Sequence, residues 1–198
     1  GILDKTSTSM GRRLLKKWLD QPLIDTREIE KRLNIVGFFV NNIELMDDVK
    51  SLLNQIYDIE RLSSKISYGN CNARDLLSLK NSISVLPSFK TLLKNSNNDE
   101  LKTLAYGLDT LEDIFNLIDS SIEENPPITI KEGGIIKRGY NEELDEIKEI
   151  CEKGKAWLSS LELREKEKTG IKNLKIGFNK IFGYYFEVTK SNINLVPD

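Results

Sequence analysis

The sequence predicts a mainly α protein, in which a helical bundle leads into a long coiled-coil-like helix that ends in a small β tip. Three observations predict it. Apolar residues recur at three- and four-residue steps from Met10 to Ile118, and again from Leu144 to Leu161. Polar and turn-forming clusters punctuate the first run, and alternation at a period of two begins only beyond Gly170.

Met10, Leu14, Leu15 and Trp18 share one side of a helix over 9–19, with Arg12, Arg13, Lys16 and Lys17 on the rest, and Pro22 ends it. Asp25 and Glu28 have capping-box form and open a second helix, behind which Ile29, Leu33, Val36 and Val40 recur at helical intervals. Leu45, Val49, Leu52, Leu53, Ile56, Ile59 and Leu62 repeat that pattern up to a turn at Tyr68-Gly69-Asn70. Asn72 with Asp75 caps the next helix, which carries Leu76, Leu79, Ile83 and Leu86. Past the polar segment 95–98, one more amphipathic stretch holds Leu101, Leu104, Leu108, Leu111, Ile114, Phe115 and Ile118.

Asn125-Pro126-Pro127 breaks this array, and Ile128 to Ile136 reads as two short extended pieces about Gly133-Gly134, a small hairpin or an irregular equivalent. Asn141, with Glu142 and Glu143 behind it, starts a helix that runs to Thr169 and stops at Gly170. Its roughly 28 residues would reach about 42 Å. Leu144, Ile147, Cys151, Gly154, Leu158 and Leu161 form a narrow seam that needs a partner helix, which the following sequence does not supply. Leu158, Leu161 and the strand edge around Tyr185 are therefore expected to be exposed or covered by another copy. Leu174, Ile176 and Phe178 alternate with polar positions, Tyr184 to Thr189 form a second β-rich run, and residues 179–183 connect the two.

Composition narrows the chemistry. Charged residues make up 30% of the 198, yet the formal net charge is only -2, so any attraction to nucleic acid must be local. Histidine is absent, which removes the usual general base of serine and cysteine hydrolases. Cys71 and Cys151 lie far apart, match no zinc spacing and read as buried or neutral thiols in a reducing compartment. Neither a phosphate-loop GxxxxGK[ST] nor GxGxxG occurs. No apolar run reaches membrane-span length, and Gly1-Ile2-Leu3-Asp4 lacks signal-peptide character, so a soluble cytoplasmic protein is expected. A start without Met and a stop at Val196-Pro197-Asp198 read as a piece of a longer polypeptide.

Four segments carry candidate chemistry. Lys168-Thr169-Gly170 matches one motif of penicillin-interacting serine enzymes, but without Ser-x-x-Lys it reads as a helix C-cap. The acidic run from Asn141 to Glu152 could be a carboxylate metal cluster or a solvated helix face; its acids do not converge on one face, which favours the second. Arg12, Arg13, Lys16 and Lys17 likewise read as a solvated face rather than a DNA contact. Lys168 to Lys190 is more informative, with five lysines, one acid and interleaved Asn173, Phe178, Asn179, Tyr184 and Tyr185. On a β tip these cations and amides could meet phosphate oxygens, or the lysines could simply guard an edge strand.

Four separated segments resemble the MutS family. They are Leu3-Asp4-Lys5-Thr6 with Met10 to Leu15 and Trp18 to Leu23; Asp58 to Leu62 with Tyr68 to Leu76; Glu132 to Ile136 with Gly139 to Asp145; and Glu167 to Ile171 with Leu174 to Asn179 and Phe182 to Thr189. The resemblance implies a bacterial, cytoplasmic and nucleoid-associated DNA mismatch repair protein. It implies residues 1–154 as the first segment of a lever domain and 155–198 as the N-terminal part of a clamp domain. The full-length protein would be a homodimer on mismatched double-stranded DNA, would meet downstream mismatch repair proteins, and would hold ATP and magnesium in an ATPase domain outside this chain; none of these cofactors is expected here. The expected DNA contacts are Lys172, Asn173, Lys175, Asn179 and Lys180. The rival reading is a coiled-coil protein interaction module without DNA binding; an enzyme comes a distant third.

Overall fold

The computed structural model describes residues 4–196, so Leu3 of the first motif, together with Gly1, Ile2, Pro197 and Asp198, lies outside the described residues. The chain is mainly helical and forms two compact units that divide between Lys137 and Arg138.

The first unit comprises α1 (Ser9–Asp20), α2 (Thr26–Asn41), α3 (Ile43–Leu53), α4 (Ile59–Ser67), α5 (Ala73–Ser84), α6 (Leu86–Lys94), α7 (Asp99–Gly107) and α8 (Glu112–Ser121). Local chemistry sets the helix starts: the Asp25 carboxylate accepts from Arg27 N–H, and Asn72 with Asp75 forms a reciprocal capping box. Two apolar clusters hold the unit together. Leu62, Ala73, Leu79, Ile83, Leu86, Ile118 and Ile122 form one, and Leu93, Leu101 and Ala105 form the other, with Ile35, Phe38 and Phe39 packed against it.

Three stretches with one continuous apolar period fold as two helices each. The pattern of Leu45 to Leu62 breaks at 54–58, where the Asp58 side chain caps α4 and Tyr57 N–H donates to the buried Ser82 hydroxyl at 3.0 Å. The stretch from Asn72 breaks at Val85, because Pro87 in the first turn of α6 has no N–H to continue the ladder. The stretch from Leu101 breaks at 108–111: Asp109 Oδ1 accepts from Leu111 N–H at 2.9 Å, and Leu111 adopts φ 51°. Periodicity survives each break because both helices bury an apolar face, although α3 and α7 turn theirs to the second cluster and α4 and α8 to the first.

The stripe on α2 is also corrected. Leu33, Val36 and Val40 are exposed, while Ile35, Phe38 and Phe39 face the second cluster. The helix carries apolar residues on two faces, and periodicity alone does not say which one a neighbour covers. Around Gly133-Gly134 no hairpin forms: a short 3-10 turn spans Ile130–Glu132, and Ile136 instead bridges to Ile122 at the end of α8.

The second unit contains α9 (Glu142–Thr169), β1 (Lys175–Asn179) and β2 (Gly183–Glu187). Asn141 Oδ1 accepts from Leu144 N–H at 2.8 Å, three acids occupy the first turn, and all 28 residues stay helical to Gly170. Gly170 has φ 73°, left-handed as its C-cap position requires, and its N–H reaches Lys166 C=O. No residue of α9 is buried. Along the seam Ile147 and Cys151 are exposed while Leu144, Leu158 and Leu161 are half-buried; Cys151 is thus not the buried thiol expected. Cys71 is half-buried, and desolvation pushes its thiol upward.

Candidate nucleic-acid interface

The hairpin is built from the end of α9 outward. After Gly170, Ile171 and Leu174 bury themselves, and the turn between them leaves Lys172 and Asn173 exposed. Strands β1 and β2 pair antiparallel, with Lys175 opposite Glu187, Gly177 opposite Tyr185 and Asn179 opposite Gly183. At the turn Asn179 Oδ1 accepts from Ile181 N–H at 2.8 Å, and Gly183 takes φ +77°.

Strand alternation then sorts the side chains. Lys175, Asn179, Tyr185 and Glu187 occupy one face, where the Tyr185 ring lies over Gly177. Ile176, Phe178, Tyr184 and Phe186 occupy the other, where the rings of Phe178 and Tyr184 meet at 5.0 Å. The hairpin therefore has a polar face and an apolar one.

All five residues expected to touch DNA are exposed: Lys172, Asn173, Lys175, Asn179 and Lys180. They do not converge on a pocket. Lys172 and Asn173 sit in the turn before β1, Lys175 and Asn179 mark its two ends about 14 Å apart at strand rise, and Lys180 sits in the hairpin turn. None of the three lysines forms an ion pair among the described residues, although Lys175 stands opposite Glu187. These cations are spread over two turns and one strand rather than gathered around one small anion. Asn179 commits its side-chain oxygen to the turn, which leaves the amide nitrogen to donate outward.

Two features escaped sequence reasoning. The turn residues Ile181 and Phe182 are 83% and 81% exposed, an apolar knob beside Lys180. Glu162 on α9 accepts from Ile176 N–H at 3.0 Å through Oε2 and from Lys166 Nζ at 2.6 Å through Oε1. The Lys166 hydrogen bond, and after it the Ile176 amide, hold this carboxyl below the usual carboxylate range. The Lys166 pair follows from helical spacing, whereas nothing in the sequence marks a residue fourteen positions later.

The basic cluster on α1 is partly consumed. Arg13 grips Asp58 at 2.7 and 2.8 Å and Glu60 at 2.6 and 2.9 Å, and Arg12 pairs with Asp4. Arg13 is an internal clasp, not a purely solvated charge. Among the described residues no group of three or more His, Cys, Asp or Glu could hold a metal ion, and no helix is long and apolar enough to cross a membrane. The acidic start of α9 is instead tied into ion pairs such as Lys153–Glu149 and Arg138–Glu152.

Helices packed on two apolar clusters, and a long helix ending in a hairpin whose lysines form no ion pair among the described residues, define a mainly helical scaffold protein. The chain belongs to the MutS family: the family profile described as MutS domain III matches residues 1–172. It is 58% identical over 198 residues to the DNA mismatch repair protein MutS of Caldicellulosiruptor bescii, covering all of this chain and 23% of that protein. It is 53% identical over 197 residues to the protein of the same name from Clostridium tetani, of which it covers 22%. The chain thus spans less than a quarter of the relatives it matches.

Proposed function

We propose that this chain is the lever and the first part of the clamp of a DNA mismatch repair protein, with residues 1–154 belonging to the lever and 155–198 to the clamp. The lever passes conformational signals between an ATPase elsewhere in the polypeptide and the clamp. The clamp contacts the duplex backbone through Lys172, Asn173, Lys175, Asn179 and Lys180 without reading sequence. ATP and magnesium belong to segments outside residues 1–198, and this chain itself catalyses nothing. In the full-length protein the partners are mismatched double-stranded DNA, a second copy and downstream repair proteins, in the bacterial cytoplasm at the nucleoid.

One observation carries the DNA reading: three exposed lysines on the hairpin and its flanking turn form no ion pair with a carboxylate among the described residues, in a chain whose relatives are named as mismatch repair proteins. Phosphate contacts of this kind release counterions, so affinity falls linearly on a log–log plot against salt, with slope about -0.9 per phosphate neutralised. Titration of a random-sequence duplex at several salt concentrations tests it. Replacing Lys172, Lys175 and Lys180 with Ala is expected to flatten the slope by about 1 per lysine, equally for different sequences. A chain that ignores duplex DNA even at low salt refutes the reading.

A second reading is supported by α9, where Ile147, Ile150, Trp157 and Leu163 are exposed. Such a helix suits pairing with another helix. Concentration-dependent self-association without duplex affinity, measured by sedimentation, would favour an interaction module over a DNA clamp.

A further inference from the structure

We propose that Glu162 is the positioning residue that locks the hairpin onto the end of the long helix and so fixes where Lys175 and Asn179 point; this rests on the duplex-contact reading above. The carboxylate joins two elements: it sits on α9, and its Oε2 receives the Ile176 N–H of β1 at 3.0 Å. An amide that donates to Glu162 faces away from β2, so the contact caps the outer edge of β1 without competing with the strand pair. Lys166, one helical turn along, holds the other carboxylate oxygen at 2.6 Å. The carboxylate is thus gripped on both sides and cannot swing freely.

The location gives this lock its purpose. Ile176 directly follows Lys175, and the strand then runs to Asn179. The segment between α9 and β1 also buries Ile171 and Leu174, and apolar burial is non-directional. A hydrogen bond to a backbone amide in the strand adds direction. Loss of the lock frees the hairpin to pivot, and a line of cations that pivots no longer matches a line of phosphates.

Charge alone predicts the opposite sign. Lys175 lies close enough to lower the Glu162 pKa, so a carboxylate here opposes an approaching polyanion. Were Glu162 only a nearby negative charge, any neutral replacement would tighten binding. As a lock, removal of the acceptor weakens binding, whereas Glu162→Gln keeps an oxygen for Ile176 N–H and sheds the charge.

The experiment uses the 198-residue chain, a random-sequence duplex, and the variants Glu162→Ala and Glu162→Gln. Salt-dependent affinity is read alongside hydrogen exchange of the Ile176 amide. Glu162→Ala is expected to weaken binding about tenfold, the lower end of what loss of a hydrogen bond to a charged group does, to flatten the salt dependence and to speed exchange at Ile176. Glu162→Gln is expected to bind as tightly as the parent or tighter, with Ile176 still protected. Binding by Glu162→Ala that equals or exceeds the parent's overturns the lock while leaving the duplex reading intact. Equal weakening by both variants assigns the effect to the Lys166 pair and overturns the Ile176 contact. A parent chain that protects Ile176 yet binds no duplex overturns the duplex reading, and with it the purpose given to the lock.

Discussion

The unit ending at Lys137 and the unit beginning at Arg138 use similar residues for opposite ends. In the first, many cations are paired within the unit: Arg13 spans Asp58 and Glu60, Lys65 meets Asp75, Lys80 meets Asp119, and Lys90 donates to Leu108 C=O. Those charges tie helices together and surround two apolar clusters. In the second, α9 follows the same habit through Lys153–Glu149 and Lys166–Glu162, but beyond Gly170 no lysine among the described residues has a carboxylate partner. Its described buried residues are Ile171 and Leu174 alone. Cations in the first unit thus tie its elements together, whereas those of the described hairpin do not.

The sharpest way to break this comparison is to cut an equal hole in each unit. Ile83 and Ile171 are both 1% exposed, but Ile83 sits in a cluster of seven buried residues. Ile83→Ala is expected to cost about 2–5 kcal/mol in chemical denaturation followed by helix content. Ile171→Ala, with one other buried residue in its unit, belongs at the lower end of that range, about 2 kcal/mol. Equal costs would mean that the tip is packed as a core rather than propped as a platform.

The next test stays in the hairpin. A Cβ on Gly177 would lie 2.7 Å from the Tyr185 ring carbon Cζ, so Gly177→Ala must push the ring aside. Because the ring end of one side chain can move, the expected cost is modest, about 1 kcal/mol. In a Tyr185→Leu background most of that cost should vanish, a coupling that a double-mutant cycle reads directly. Additive effects would deny that Tyr185 packs on Gly177.

Legibility in the sequence followed the range of the interactions. The 28 residues of α9 were readable to within a residue at each end, because Asn141, the acids behind it and Gly170 act within one turn of the boundaries. The hairpin was readable because alternation and the turn at 179–183 are also local. The breaks at 54–58, Val85 and 108–111 were not, since the helices on either side both bury apolar faces, in one cluster or the other, and their apolar periods join without a gap. Pro87 was the one local signal available there. Which face of α2 is covered depends on α3, α6 and α7, and the Arg13 clasp on residues some 45 positions away. The five candidate contacts were legible as charges and amides in one segment, but their placement along a line, the polar and apolar faces and the Glu162 contact needed the register.

The smallest expected effect concerns α1, which has no buried residue. The Arg13 clasp on α4 and the Arg32 guanidinium over the Trp18 ring at 3.7 Å help to hold it. The Arg13 hydrogen bond is the main cause that holds the Asp58 carboxyl below its usual range. A carboxyl lowered by folding stabilises the folded chain above its unfolded pKa and loses that contribution as pH falls through the folded one. Below about pH 4 the clasp should therefore loosen, and Trp18 fluorescence, read in a Trp157→Phe background, should change before the helical signal collapses. Asp58→Asn separates the two jobs of this residue, since Asn still caps α4 but offers Arg13 no charge. That variant leaves Glu60 as the remaining carboxylate on Arg13, so it should show a partly loosened Trp18 signal already at neutral pH and a smaller acid step. A Trp18 signal that moves only with global unfolding would mean that the clasp contributes nothing apart from the core, and the contrast between the paired cations of one unit and the unpaired lysines beyond Gly170 would lose its clearest example.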